Sequence, residues 1–153
     1  MNARFTDFLG ETLTALEQEC PDAYEAMCRH LGDLEIHIEV DGAVTSVVGD
    51  SREIAISSAS ASPRVRIVST RRTVLDLIDR KATLLTAVRL GELRWTGASV
   101  DVSAFLEAFS AYLTGAVRSP SFRKLLDAYR GVPQGSWTRA RPDSRSPATV
   151  RSR

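Results

Sequence analysis

Apolar residues recur at helical spacing in the first 31 residues and again after residue 70, with a different pattern between the two stretches. A period near 3.6 residues is typical of an amphipathic helix. Pro21 separates two N-terminal helices, because proline disfavours helical geometry in the residue before it and is tolerated in a first turn. Gly32 ends the second helix. The apolar face of the first helix is predicted to consist of Phe5, Phe8, Leu9, Leu13 and Leu16.

The apolar period shortens to two between residues 34 and 69, which is typical of half-buried strands. Apolar and polar side chains alternate from Leu34 to Asp41, and the sequence Asp41-Gly42 predicts a hairpin turn into a second strand at 43–48. Two further strands are expected at 53–57 and 64–69, joined by a flexible connection at 58–63, SASASP. The middle of the chain therefore predicts a four-strand antiparallel meander.

The helical period that returns after residue 70 is interrupted once, by GELRWTG at 91–97. Two short helices precede this heptapeptide, and the second is predicted to begin after Thr83. Within the heptapeptide Leu93 and Trp95 alternate with polar residues, so we expect a single strand that returns to the sheet.

Two more helices follow this strand. The first carries an aromatic stripe and is predicted to end at Gly115. The second begins at Ser119-Pro120, a cap followed by a first-turn proline, and ends at Gly131.

The chain has 153 residues, of which 43% are hydrophobic and 25% charged, and this fits one globular domain. We divide it into an N-terminal helical segment at 1–31 that packs on the domain, the domain proper at 32–131, and a tail at 132–153. The tail is rich in Pro, Ser and Arg, and we expect it to be flexible and basic, either as a solvated extension or as an arm toward phosphates or an acidic partner. The formal net charge is +1, but residues 1–131 hold 15 basic and 18 acidic groups, a net of −3.

The strong motifs of catalysis and of phosphate or metal binding are absent from the sequence. Cys20 and Cys28 lack the spacing of a zinc site, and we expect them to be buried and reduced. The first residues do not predict a signal peptide, because they include acidic residues and no continuous apolar core, and no run approaches the roughly 18 apolar residues of a membrane span. We therefore expect a soluble cytoplasmic protein with no cofactor, no metal, no nucleic-acid partner and no stable insertion into a membrane.

Two groups of polar residues allow a functional interpretation. Glu35, His37, Glu39 and Asp41 share one strand face, and an acid-base or metal cluster there competes with a solvated charged face that pairs with arginines. Arg71 and Arg72 could hold an anionic head group, although surface charge at a helix start is the simpler explanation.

The order of these elements resembles the sterol carrier protein 2 superfamily from Leu34 to Tyr129. The resemblance is sharpest at residues 73–97, TVLDLIDRKATLLTAVRLGELRWTG, which is similar to the family's two helices and "G-K-L-K-I-x-G" strand. The sequence departs from the family at Asp79-Arg80, where a glycine often precedes a lysine, and at Ala98, which replaces a frequent acidic residue.

The resemblance implies an α+β fold, in which helices cover one face of a five-stranded, mostly antiparallel sheet and an apolar tunnel lies between the two layers. The implied function is to bind and carry a hydrophobic small molecule, such as a sterol or a fatty acyl chain, without chemistry. The residues that match ligand-binding positions are Leu77, Ile78, Leu84, Leu85, Val88, Trp95, Phe105, Phe109 and Tyr112.

Two questions stay open at this point. A small enzyme of specialised metabolism, a cyclase or isomerase of a polyketide-like or terpenoid substrate, could use the same cavity with Tyr112, His37 or a carboxylate as its acid-base group. The N-terminal segment could cover the cavity or mediate formation of a homodimer.

Overall fold

The computed structural model of the protein describes residues 4–57 and 62–131. Most of the predicted flexible connection and the whole basic tail lie outside these residues. The helices are α1 (Phe5–Glu19), α2 (Pro21–Leu31), α3 (Arg71–Ile78), α4 (Leu84–Arg89), α5 (Ser99–Arg118) and α6 (Pro120–Tyr129). The strands are β1 (Glu35–Val40), β2 (Ala43–Gly49), β3 (Ile54–Ser57), β4 (Val65–Ser69) and β5 (Arg94–Gly97).

The five strands form one sheet in the order β3-β2-β1-β4-β5. Three of the four strand pairs are antiparallel, which confirms a mostly antiparallel sheet, but β1 and β4 are parallel, with Ile36 opposite Val65 and Ile38 opposite Ile67. The predicted four-strand meander is therefore wrong in its last step. After β3 the chain crosses to the other side of β1, where Val65 and Ile67 extend the apolar face of the central strand.

The helices cover one face of this sheet. The side chains on that face are apolar or small, and Ile36, Val47, Val65 and Ile67 are buried in a common core with residues of α1, α2, α5 and α6. The side chain of Thr6 in α1 hydrogen-bonds that of Thr45 in β2, which fixes the first helix above the sheet. The sequence prediction of an α+β fold with one covered face is confirmed.

The long helix α5 continues past Gly115 to Arg118, so the prediction that it ends at Gly115 is wrong. A Cβ atom at Gly115 would lie 2.8 Å from Leu16 Cδ2 and 3.0 Å from Ala23 Cβ. This glycine therefore allows α5 to approach α1 and α2 closely. By length and composition α5 is also the one helix within the described part of the chain that could cross a membrane, a test that core helices pass as well.

Short helices α3 and α4 connect β4 to β5 and are held mainly at their ends. The hydroxyls of Thr70 and Thr83 accept hydrogen bonds from the backbone N–H groups of Thr73 and Thr86, both at 3.1 Å, and so cap the two helices. Only Thr73 and Leu77 of α3 and Ala87 of α4 are fully buried. These two helices therefore bury fewer residues than any of the other helices.

Helix α6 is tied to its neighbours at both ends. The Glu19 carboxylate, at the end of α1, accepts hydrogen bonds from the Ser119 and Ser121 hydroxyls and from the Ser121 backbone N–H, which lowers the pKa of Glu19. At the other end the Arg130 guanidinium donates two hydrogen bonds to the Asp79 carboxylate, one of 2.7 Å between Nη1 and Oδ2. Helix α6 is thereby linked both to α1 and to the end of α3.

Candidate functional site

An apolar pocket of about 100 Å³ lies between the inner face of the sheet and the helices. We call it the central pocket. Its walls come from every part of the helical layer except α6, together with β1, β2, β3, β4 and Leu93, which directly precedes β5. Its lining residues are Phe5, Phe8, Leu9, Leu13, Met27, Leu31, Ile36, Ile38, Val47, Ile54, Ile67, Ser69, Val74, Leu77, Ile78, Leu84, Leu93, Phe105, Ala108, Phe109 and Tyr112.

Only two of the lining residues carry a polar side chain, and both hydroxyls are already engaged. Thr12 donates its hydroxyl hydrogen to the Leu9 carbonyl, so the Tyr112 hydroxyl is the donor in its 2.7 Å hydrogen bond to Thr12 Oγ1. Ser69 donates to the Glu92 carbonyl at 3.0 Å. The central pocket is therefore lined without a charged side chain or an unused hydroxyl hydrogen.

Burial also determines the protonation of Tyr112. Its phenol is fully enclosed, and this desolvation raises its pKa well above the ordinary value of a tyrosine. The phenol therefore stays neutral at physiological pH. In this geometry Tyr112 contributes an aromatic face to the pocket and a hydrogen bond to the protein.

The structure brings together six of the nine residues expected at a ligand-binding site. Leu77, Ile78, Leu84, Phe105, Phe109 and Tyr112 line the central pocket. Val88 and Trp95 are partly buried and pack against the hydrophobic core outside the pocket lining, and Leu85 is 66% exposed to solvent. Trp95 nevertheless lies on the inner face of the sheet, opposite Ile67 of β4.

The N-terminal helices contribute to this pocket, which the sequence left open as one of two alternatives without indicating the residues involved. Phe5, Phe8, Leu9 and Leu13 of α1 line it, and so do Met27 and Leu31 of α2. The apolar stripe on α1 was recognisable in the sequence as a face that needs a covering surface. It could not show that the covered surface would be the same space that α3, α4 and α5 enclose.

The other candidate functional residues lie outside the central pocket. His37 is on the opposite face of β1, where its Nδ1 atom is 3.4 Å from Arg66 Nη1. Glu35, Glu39 and Asp41 are likewise not among the lining residues. Arg71 lies over the ring of Tyr129, with Cζ 4.6 Å from the ring centroid. Across residues 4–57 and 62–131, no group of three or more His, Cys, Asp or Glu side chains could hold a metal ion.

Comparison with solved structures identifies the architecture. The structure of a protein described as "UbiJ-SCP2 Ubiquinone synthesis protein" is 20% identical, covers 69% of this chain and 95% of its own, and superposes with a TM-score of 0.53. The solution structure of sterol carrier protein domain 2 of Helicoverpa armigera is 13% identical, with coverages of 73% and 94% and a TM-score of 0.53. The chain has the sterol carrier protein 2 fold.

The sterol carrier protein 2 fold extends over nearly the whole length of these two structures, so the match concerns a complete domain rather than a shared fragment. No protein-family model matches this sequence, and neither does any curated protein sequence. Identities of 20% and 13% support a shared fold, whereas the function depends on the residues of the site.

Proposed function

We propose that this protein binds and carries a hydrophobic small molecule, such as a sterol, an isoprenoid or a fatty acyl chain, in the central pocket and without chemistry. The observation that carries the proposal is the uncharged and almost entirely apolar lining of this pocket, in a fold whose solved examples include a sterol carrier protein domain and a ubiquinone synthesis protein. Removing hydrocarbon surface from water is favourable by about 25 cal/mol per Å². A pocket of this composition therefore favours ligands by their apolar surface. A cytoplasmic location is part of the same proposal.

The size of the pocket implies that a ligand must enlarge it. About 100 Å³ accommodates a short stretch of hydrocarbon, whereas sites for drug-sized ligands typically measure at least about 300 Å³. Helices α3 and α4 are the parts of the wall that can move at least cost, because they bury few of their own residues. We propose that loading displaces these two helices outward while the sheet and α1, α2 and α5 stay in place.

The composition of the lining also limits the polar part of the ligand. A carboxylate or phosphate in the central pocket would be desolvated without a cationic partner, at a cost of several kcal/mol. The hydrocarbon part of the ligand therefore occupies the pocket, and any charged group stays at the protein surface.

Ala108 allows a direct test of this proposal. It is 3% exposed and lines the pocket from α5, so Ala108→Leu adds three carbon atoms to the space that the ligand would occupy. The matched control is Ala128→Leu, on the exposed side of α6 and outside the lining. We expect Ala108→Leu to raise the Kd for a fluorescent fatty acid by about tenfold, because its side chain occupies space that the ligand needs. Ala128→Leu is expected to leave this Kd unchanged.

Native mass spectrometry of the purified wild-type protein is the companion measurement, and a co-purified hydrophobic molecule is the expected result. The proposal is refuted if the wild-type protein neither carries such a molecule nor binds the fluorescent fatty acid. If a polyketide-like or terpenoid compound is added to the protein and mass spectrometry shows that it is chemically converted, the enzymatic alternative is supported instead.

A further inference from the structure

Two leucines on the outer side of the α4 region are unusually accessible. Leu85 and Leu90 are each 66% exposed, and they lie within a short segment of which only Ala87 is buried. Single exposed apolar residues are common on protein surfaces, but a pair in one short element indicates an interaction site more strongly. These leucines are not needed for the hydrophobic core.

The same segment is basic. Arg80, Lys81 and Arg89 are exposed, and none of them forms an ion pair with another residue of the described ranges 4–57 and 62–131. Residues 80–91 contain no acidic residue and have a net charge of +3, while residues 1–131 as a whole have a net charge of −3. We call Arg80, Lys81, Leu85, Arg89 and Leu90 the α4 patch.

We propose that the α4 patch is a docking surface for an anionic lipid bilayer. Exposed leucines flanked by lysine and arginine match the interfacial region of such a bilayer, where the leucines enter the boundary with the acyl chains and the cations contact the head groups. A second copy of the chain fits this surface less well, because a two-fold contact through the patch would bring like charges together. The contact is peripheral, and no helix inserts across the membrane.

The position of the patch adds a consequence for ligand transfer. Leu84, which precedes the exposed Leu85, lines the central pocket, and Ile78 before Arg80 does so as well. A protein docked through the α4 patch therefore places the most easily displaced wall of the pocket against the membrane. Docking itself does not require a ligand, so the two proposals can be tested separately.

Co-sedimentation with vesicles tests the docking surface in the full chain. The vesicles are made of equal parts of phosphatidylcholine and phosphatidylglycerol, with phosphatidylcholine alone for comparison. Leu85→Ser/Leu90→Ser removes the two leucines, and the matched control is Val100→Ser/Val117→Ser, because Val100 and Val117 are 74% and 70% exposed on α5. We expect the first variant to lower partitioning onto the mixed vesicles by at least about fivefold and the control to leave it unchanged.

A second pair of variants tests the charges. Lys81→Glu/Arg89→Glu and Arg52→Glu/Arg123→Glu change the net charge equally, all four residues are exposed, and the basic tail at 132–153 is the same in every protein. Lys81→Glu/Arg89→Glu is expected to bind the mixed vesicles more weakly than Arg52→Glu/Arg123→Glu, although the two variants have the same net charge. Thermal unfolding of all variants verifies that they are folded.

The docking proposal is overturned if the wild-type protein does not bind the mixed vesicles, or if the patch variants and their controls lose equal amounts of vesicle binding. It is also overturned if Leu85→Ser/Leu90→Ser changes the oligomeric state without losing vesicle binding. Displacement of the fluorescent fatty acid, measured without vesicles, reports on the central pocket alone. A failure of docking is thus distinguishable from a failure of ligand binding.

Discussion

Tyr129 connects the last helix to the aromatic cluster formed by α1. Its ring stacks on that of Phe8 with centroids 4.4 Å apart, and the Arg71 guanidinium lies over it. Burial raises the pKa of its phenol to about 12, although Arg71 opposes the shift. The charged form of Tyr129 is therefore disfavoured in the folded state relative to the unfolded state, in which a tyrosine has a pKa near 10.

This difference predicts a loss of stability at alkaline pH. Between pH 10 and about 12 the unfolded chain releases a proton that folded Tyr129 retains, so the free energy of unfolding falls by roughly 1.4 kcal/mol per pH unit for this group. Tyr129→Phe is expected to reduce the slope by about that amount in urea unfolding between pH 10 and about 12. Phe5→Leu, which alters the same aromatic cluster without an ionisable group, should leave the slope as it is. An unchanged slope in Tyr129→Phe would show that the pKa of Tyr129 is not raised in the folded protein.

Gly115 and Gly10 provide a contrasting pair of helix glycines. A Cβ at Gly115 would meet Leu16 and Ala23 at 2.8 and 3.0 Å, whereas a Cβ at Gly10 would meet nothing within 4 Å. We expect Gly115→Val to lower the free energy of unfolding by about 2–3 kcal/mol, because α5 would have to move away from α1 and α2. Gly10→Ala is expected to raise it by up to about 1 kcal/mol, since alanine favours a helix. Chemical denaturation measures both, and equal effects would contradict the close packing at Gly115.

The link between α3 and α6 depends mainly on the pair formed by Asp79 and Arg130. The side chains of these residues are 17% and 30% exposed, and the hydrogen bonds from Arg130 hold the pKa of Asp79 below its ordinary value. Asp79→Asn is expected to lower the free energy of unfolding by about 1–2 kcal/mol at pH 7. The exposed pair of Asp22 with Arg118 provides the control, and Asp22→Asn is expected to have no measurable effect.

The effect of Asp79→Asn also depends on pH in a defined direction. Because the pKa of Asp79 is lowered on folding, the stability that its carboxylate contributes is present above pH 4 and is lost as the pH falls through the folded-state value. The difference between wild type and Asp79→Asn should therefore shrink below pH 4. A difference that stays constant at low pH would mean that the ion pair is not its cause.

The helices and strands of this chain could largely be predicted from the local sequence, whereas the pairing of the strands could not. Asp41-Gly42 predicts the turn between β1 and β2, and both residues have positive φ values, 52° and 84°. Nothing in the residues at 64–69 distinguishes pairing with β3 from pairing with β1, because either neighbour would bury Val65 and Ile67. The parallel pairing of β1 and β4 depends on a crossover that local patterns do not encode.

Within α4 the local sequence likewise does not determine which leucine faces the central pocket. Leu84 and Leu85 are equivalent in hydrophobicity, and the apolar stripe of α4 included both. In the structure Leu84 lines the central pocket and Leu85 is exposed. A helix of six residues is too short for its periodicity to define the direction of its buried face, so the packing of Ala87 decides between the two leucines.

On the scale of the whole molecule, filling the central pocket should stabilise the fold. A ligand that binds only the native state adds about 2.7 kcal/mol at a concentration of 100 times its Kd. We expect saturating fatty acid to raise the Tm of the wild-type protein by several degrees in calorimetry. Ala108→Leu should show little further increase, because its added side chain occupies the same space. An equal increase in both proteins would mean that the ligand binds elsewhere.

The strand order also determines how the sheet meets other molecules. Its outermost strands are β3 and β5, and each is only four residues long. Unpaired backbone groups at a sheet edge are templates on which strands of other chains can add, and short edge strands are one way in which proteins limit this addition. The longer β1, β2 and β4 are all internal. The sheet thus offers only short edges to the strands of other chains, which limits edge-to-edge aggregation.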